Sequence, residues 1–511
     1  MRFTKLHWLA GINAAIVALA CLGAQAAPPR YGGTLHVRLR VSSFSLDPRD
    51  WTPGSLSSAA SEKLASLVYD RLVTLDDYAR FQPALATEWT HDASSRNWQF
   101  KLRSGVRFSD GSLLIPADAV ASLQATLGKG FEVTGSENGI AIRATHSTPD
   151  LLEQLASGRH FIYRRQPDGM LLGTGPFSVA ESLAAVPAEA NSTAIKPAKI
   201  KFQANEGAWS GRPFVDFVEV TLGEPPLRQL LDLQVGKADI AEIAPDLVRR
   251  GRQEGLRIWN SAPQTLVALR FDDALAAPAS DQLREALWLA LDRDTMANVL
   301  LQREAQPADS LLPRWLSGYA FLFESSMNLQ RARELRAALP AGVPGATQPL
   351  RLRVDAPGDL FKLMGERVAV NARQANLLVQ VALPASANNP AVVASGLHLV
   401  AWHYDSLSPR AELETFVKQL LDRGDLRANT TDPEQLFEQE RRLLEERHIL
   451  PLVLLPEYAG VRANVHNWNA SAWGDWRLAD VWLDSEDPIT TKPPTGPQKN
   501  SSTARSPGAR P

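Results

Sequence analysis

Residues 69–123 read YDRLVTLDDYARFQPALATEWTHDASSRNWQFKLRSGVRFSDGSLLIPADAVASL. In this stretch Trp98, Phe100 and Leu102 alternate with polar neighbours at period two, and Val106 and Phe108 follow Arg103-Ser104-Gly105. The pattern predicts a hairpin with one buried face. Asp110-Gly111 marks a second turn. Pro116 sits where a helix over Ala117 to Leu123 can begin, because the first turn of a helix has no use for the missing N–H. No side chain in the segment is arranged for reaction chemistry, so it reads as scaffold.

Working outward, short strands alternate with helices of moderate length, and no fixed-period repeat appears. Tyr31-Gly32-Gly33 precedes a strand Thr34 to Leu39, and Leu46-Asp47-Pro48 closes the loop after it. Phe131-Glu132-Val133 and Gly139-Ile140-Ala141-Ile142 read as a hairpin. Gly173-Thr174-Gly175-Pro176-Phe177 reads as a chain reversal with glycine supplying positive φ. It is not a phosphate loop, since no Lys-Ser/Thr follows. Pro263 to Phe271 is a strand that crosses into new territory, one of two expected hinges. Leu283, Leu287 and Ala290 share one helical face ahead of Asp292-Arg293, and that adjacent acid-base pair reads as capping and packing, because neighbours on a helix do not converge. Leu450 to Leu455 is a strongly apolar run, and Tyr458 to Val465 leads from it to Asn467-Trp468 as a second crossing.

The set of these elements, with Leu85-Ala86-Thr87-Glu88-Trp89 before the 98–108 segment, resembles the family 5 extracellular solute-binding proteins of the dipeptide- and oligopeptide-binding type. The GGTL strand, the LDP loop, NEGAWSGRPFVDFVEV over 205–220, QVGKADI over 234–240 and the Ala-Leu-Asp-Arg helix end follow in family order from about Tyr31 to Trp482. Ala208 stands where the family usually has tyrosine. The resemblance implies an α/β, two-lobed periplasmic-binding-protein fold with an inserted subdomain in the first lobe. The expected parts are a first lobe over 27–55, continued over 176–265 and regained over 456–484, an inserted subdomain over 56–175, and a second lobe over 272–455.

The resemblance also implies a ligand contact. Trp402, Asp405 and Pro409 keep the spacing at which peptide-binding members pair the Asp with the ligand's α-ammonium group, and Tyr404 is grouped with them. A charge-assisted hydrogen bond of that kind contributes about 1.5–3 kcal/mol, and an indole offers a flat apolar wall. The competing reading makes Asp405 a turn former in a strand-to-proline loop. The usual acidic residue just before the proline is Ser408 here, which lowers the local acidity. In the first lobe, the loop carrying Ser42, Ser43 and Phe44 is expected to face the cleft, or else its hydroxyls only cap the following turn.

Ends and composition set the compartment. Arg2 and Lys5 precede an apolar Leu9 to Leu22, and Ala24-Gln25-Ala26 is an A-x-A site, the pattern of a signal peptide over 1–26. An uncleaved anchor is one alternative, and a lipoprotein through Cys21, the sole cysteine, is another. Cleavage after Ala26 leaves about 485 residues, room for two or three domains, with no disulfide, thiolate metal ligand or thiol nucleophile. The segment 485–511 is rich in Pro, Ser, Thr and Gly and is expected to be disordered. A net charge of −2 and 44% apolar residues give no field for nucleic acid or an anionic membrane.

No HExxH, GxSxG, Walker or Rossmann pattern is present, and the nine histidines are scattered. His398 and His403 are five apart, an odd spacing that points strand side chains to opposite faces. The expected protein is therefore a non-catalytic, monomeric receptor without cofactor or bound metal. It captures a small solute, a short peptide first and a nickel chelate, haem or sugar otherwise, and hands it to ABC permease subunits in the inner membrane. A cell-envelope hydrolase with an unrecognised site, or a structural or sensory protein that kept the fold, are the alternatives from other classes.

Overall fold

A computed structural model of the chain describes residues 29–484, except 77, 184–185, 188–194, 197, 273–274, 276–279, 325, 341, 383–395 and 424–430. The signal-peptide reading, Cys21 and the 485–511 tail lie outside the described residues.

One eleven-stranded sheet runs through the molecule. Its order is Phe177–Leu183, Ala198–Ala204, Phe217–Leu222, Thr34–Leu39, Ile240–Glu242, Ile449–Val461, Arg257–Phe271, Leu397–His403, Leu350–Val354 and Val379–Val381, with Gln306–Pro307 added on Ile449–Val461. Thr34–Leu39 buries Leu35, Val37 and Leu39 and turns Thr34, His36 and Arg38 outward. It pairs in parallel with Phe217–Leu222 and Ile240–Glu242.

Two long antiparallel strands, Arg257–Phe271 and Ile449–Val461, carry the chain between lobes, and each belongs to different cores at its two ends. Trp259, Ala459 and Val461 pack in the first-lobe core with Leu35, Val37 and Phe202. Val267, Leu269, Phe271, Leu450 and Leu452 pack in one second-lobe core, and Leu266, Ala268 and Leu454 in another on the opposite face. Burial on both faces is why Leu450 to Leu455 reads as an unbroken apolar run. Between the two ends the ladder loses register at Asn260/Pro263 and again at Pro263/Thr265, where Pro263 lies opposite Pro456. Neither proline has an N–H to give the ladder, so the crossing lacks ladder hydrogen bonds from both of these residues. The second-lobe cores begin at Leu266, ahead of the expected residue 272.

The inserted subdomain has its own core, including Leu72, Leu85, Trp98, Phe100, Ile140, Leu151 and Ile162. Burying each such large apolar side chain contributes about 1.5–3 kcal/mol. Its four-stranded sheet runs Ala86–His91, Asn97–Leu102, Gly139–Ala144, Phe131–Ser136. The pairing corrects the expected hairpin. Trp98 and Phe100 are buried as the alternation implies, but Asn97–Leu102 pairs back onto Ala86–His91 and across to Gly139–Ala144, not onward to Val106 and Phe108. Asp92 decides this, because its carboxylate accepts from Arg96 N at 3.0 Å and Asn97 N at 3.3 Å and builds the turn. The 131–142 hairpin forms as read.

Helix Leu56–Ala65, expected within the insertion, instead buries Ala60, Leu64 and Ala65 in the first-lobe core. At the chain reversal near 175, neither Gly173 nor Gly175 has positive φ. They are needed for contact: a Cβ on Gly173 would lie 1.8 Å from Val68 O, and one on Gly175 2.6 Å from Val68 C. Asp292 caps a following turn by accepting from Thr295 N at 2.9 Å, and Arg293 donates to Pro451 O at 2.8 Å while lying over Trp288. The pair is structural, as its adjacency implies.

Candidate functional site

A cavity of about 50 Å³ lies where the first lobe, the inserted subdomain, the crossing strands and the second lobe meet. Helix Leu56–Ala65 supplies Glu62 and Lys63, the subdomain Ala156 and Ser157, and the crossing strands Gln264 and Glu457. Trp315 and residues 403–407 come from the second lobe, and Trp473, Gly474 and Asp475 from the returning chain. A wider groove of about 790 Å³ runs beside the amino end of strand Thr34–Leu39, past Tyr31, His36 and Lys237, and shares no residue with this cavity.

The second-lobe wall follows from strand Leu397–His403. Its residues alternate between two buried faces, with Leu397 and Leu399 in one core and Val400 and Trp402 in the other. The alternation also separates the two histidines: His398 contacts Asp272 and Asp355, both at 2.8 Å, while His403 reaches the cavity. After His403 the chain loops to helix Pro409–Leu421, capped by Ser408 Oγ, which accepts from Ala411 N at 3.1 Å. Asp405 projects from that loop. Its Oδ2 accepts from Gly54 N at 2.6 Å, and its Oδ1 is buried with no hydrogen-bond partner among the described residues. Gly54 also accepts, through its carbonyl, from His403 N at 2.8 Å. A first-lobe glycine thus touches the second-lobe site through both its N–H and its carbonyl.

Three side chains hold the loop from behind. Trp402 Nε1 donates to Glu412 Oε1 at 2.6 Å, and Glu412 Oε2 accepts from Ser406 N at 2.9 Å. Tyr404 OH donates to Leu311 O at 2.6 Å. Glu440 fixes the Leu311 turn in its turn, its Oε1 accepting from Leu311 N at 2.6 Å and Leu312 N at 3.1 Å. Burial pushes the Asp405 carboxyl up, and the nearby Glu412 charge pushes it further. Glu412 is raised by burial as well.

The remaining walls are strongly ionic. Lys63 Nζ lies 2.7 Å from Glu457 Oε2 and 3.2 Å from Glu242 Oε1. Arg71 lies 2.8 Å from Glu62 and 3.4 Å from Asp475. Glu62 is raised by burial despite Arg71. Burial lowers the His403 imidazole to about 4, so it is neutral at pH 7, and its Nδ1 has no hydrogen-bond partner among the described residues. Four carboxylates, Glu62, Asp405, Glu457 and Asp475, line the cavity with one cation, Lys63, and among the described residues Asp405 has no ion-pair partner. Trp315 and Trp473 add an aromatic edge, 6.0 Å between centroids; Trp315 Nε1 donates to Pro263 O at 2.7 Å and Trp473 Nε1 has no partner among the described residues. Among the described residues no group of three or more His, Cys, Asp or Glu side chains is placed to hold a metal.

Of the residues singled out in the sequence, Asp405 and Tyr404 line the cavity. Trp402 does not. It is 3% exposed, packs edge-on to Phe416 at 5.1 Å, and stands behind Gly54. Ser42, Ser43 and Phe44 do not line it either. Ser42 backs onto Gly223, whose N–H bonds to Leu39 O at 3.1 Å, and Phe44 packs on the first-lobe core. The loop is drawn back to its own lobe, and Gly54 reaches the second lobe instead. Sequence reading missed Gly54, Glu62, Lys63, Trp315, Trp473 and Asp475. The Trp-Gly-Asp-Trp run at 473–476 was the one local signal.

A family model described as bacterial extracellular solute-binding proteins, family 5, middle, matches residues 80–419. The chain is 23% identical to the probable ABC transporter periplasmic-binding protein SapA of Escherichia coli K12, over 94% of this chain and 98% of that one. It is 24% identical to the nickel-binding periplasmic protein of the same organism, over 64% of this chain and 67% of that one. Among solved structures, the oligopeptide-binding protein AppA of Bacillus subtilis in complex with a nonapeptide superposes with a TM-score of 0.69 at 15% identity, covering 90% of this chain and all of that one. At that identity the likeness establishes the fold.

Proposed function

The chain belongs to the bacterial extracellular solute-binding proteins of family 5, and on that premise we propose that it is a non-catalytic receptor whose two lobes close over a short peptide and deliver it to ABC permease subunits. Its place is the periplasm, reached through a signal peptide cleaved after Ala26, and it works as a monomer. The observation that carries the reading is the Asp405 carboxylate, fixed between lobes by Gly54 with one oxygen unpartnered. An ammonium group supplies three N–H donors and the missing charge. The surplus of carboxylates around the cavity favours the same cation, and Trp315 and Trp473 offer apolar and N–H contacts to the adjoining residue. Trp402 supports Asp405 from behind and does not touch the solute. Differential affinity for the closed arrangement drives closure.

Native mass spectrometry of the purified protein after incubation with a peptide mixture tests this. Retention of intact peptides supports the receptor, and release of cleaved products refutes it in favour of a hydrolase. Calorimetry with a retained peptide then tests the contact: Asp405→Asn should weaken binding about tenfold or more, the value of a charge-assisted hydrogen bond. Unchanged affinity rejects the assignment.

A further inference from the structure

Asp150 is a buried carboxylate outside the cavity. It stands just before helix Leu151–Leu155 of the inserted subdomain, where an aspartate ordinarily caps its own helix, yet its side chain caps no backbone N–H there and meets that helix through Gln154 Nε2, from which Oδ2 accepts at 3.3 Å. It reaches across to the second lobe. Oδ2 accepts from Ser408 Oγ and, at 3.1 Å, from Arg410 Nε; Oδ1 accepts from Arg410 Nη2 at 3.2 Å. Both charged side chains are 8% exposed.

The two ends are anchored in separate cores. On one side Thr148 bonds twice to Ser95 O, at 3.0 Å through its N–H and 2.9 Å through its hydroxyl, and Leu151 is fully buried in the subdomain core. On the other, Leu413, Phe416 and Val417 seat helix Pro409–Leu421 in the second lobe. Leu407, between Asp405 and Ser408, packs on the subdomain core. The loop that presents Asp405 is therefore clamped at its far end by the other half of the molecule.

We propose that Asp150 is a positioning residue for solute capture: by joining Ser408 and Arg410 across the lobes, it holds the Asp405 loop in place and sets the closed state's share in the ligand-free protein. Opening the lobes returns Asp150 and Arg410 to water. Removing the carboxylate penalises the closed state alone, because among the described residues Arg410 is then buried with only Glu414, 3.3 Å away, as its partner. Ser408 fits this arrangement for a chemical reason. A hydroxyl can cap its own helix and donate to Asp150 at once, whereas a carboxylate at 408 would cap equally well but repel Asp150.

That difference supplies the test. Dyes on Glu137→Cys and Lys362→Cys, in the exported protein that has lost Cys21 with its signal peptide, report lobe separation in ligand-free protein by energy transfer. Asp150→Asn should lower the closed-to-open ratio about tenfold or more. Ser408→Asp, which keeps the helix cap, should lower it similarly, and adding Asp150→Asn to Ser408→Asp should restore part of the loss, with melting temperatures of all three close to one another. No change in Asp150→Asn relative to the parent, whether both are open or both closed, overturns the proposal. So does a loss in Ser408→Asp that Asp150→Asn fails to relieve, and this pair decides the matter if Asp150→Asn alone does not fold. The proposal rests on the reading that the lobes close on a solute, but it is measured without one. Failure here leaves solute capture standing, and failure to find a solute leaves the clamp standing.

Discussion

Gly54→Ala is the substitution whose effect the geometry fixes most narrowly. Gly54 has φ of +75°, and a Cβ built on it would lie 2.2, 2.3 and 2.4 Å from three ring atoms of Trp402. Ordinary contact begins near 3.4 Å, so the ring would have to retreat by about 1 Å. It has nowhere to go: Trp402 is 3% exposed, its indole N–H is held by Glu412 at 2.6 Å, and Phe416 backs it at 5.1 Å. Overpacking of this kind costs about 1–3 kcal/mol. The cost falls on the closed state, since Gly54 belongs to the first lobe and Trp402 to the second. The positive φ adds about 1 kcal/mol in open and closed forms alike. Titration calorimetry with a peptide that the parent retains should therefore show affinity about 5- to 150-fold weaker, while ligand-free thermal stability falls by only about 1 kcal/mol. Affinity within twofold of the parent in a folded variant would refute the reasoning, because the lobes would then close without bringing Gly54 against Trp402.

Other expectations concern the buried acids. Glu440 is raised from 4.5 to about 7, chiefly by burial; a group whose folded value is raised contributes stability at low pH that is lost as pH rises through about 7. Glu440→Gln should match the parent near pH 4 and exceed it by about 3 kcal/mol at pH 8 in denaturant titrations, and a constant difference across that range would contradict this. The Asp405 carboxyl is also raised, so binding of a peptide ammonium should weaken as pH falls from neutrality, well above the range of an ordinary aspartate, and Asp405→Asn should flatten the profile. Trp402→Phe keeps an aromatic ring but removes the N–H donor to Glu412; chemical denaturation should show a loss of about 1–3 kcal/mol, with peptide affinity changing less than in Asp405→Asn because Trp402 lies behind the wall.

By itself the sequence determined the local alphabet of this protein. Period-two alternation marked the buried face of 98–102, the strongly apolar run at 450–455 marked the returning strand, and the order of short motifs marked the family and with it the two lobes. These are properties of near neighbours in the chain, which the solvent sorts by burial wherever the partner lies. What alternation cannot supply is the partner. Trp98 and Phe100 point inward as read, but the Asp92 turn, not the alternation, folds their strand back onto Ala86–His91. The odd spacing of His398 and His403 put them on opposite faces, yet only the packing of the lobes made one face the cavity.

The site shows the same limit more sharply. Asp405 and Tyr404 were singled out because Trp402, Asp405 and Pro409 keep the spacing of the family that the sequence resembles, and the structure puts both residues on the cavity wall. Gly54 was not, because it lies 351 residues from the carboxylate it contacts, and glycine carries no side-chain signal of its own. Trp402 shares a motif with Asp405, but the strand ends between them, so the indole stays in the core while the carboxylate turns into the cavity. Asp150 was not singled out in the sequence at all. Tertiary structure assigned it to Ser408 and Arg410, because hydrogen bonds and ion pairs are satisfied by whatever the packing of apolar faces brings within 3 Å, regardless of distance along the chain.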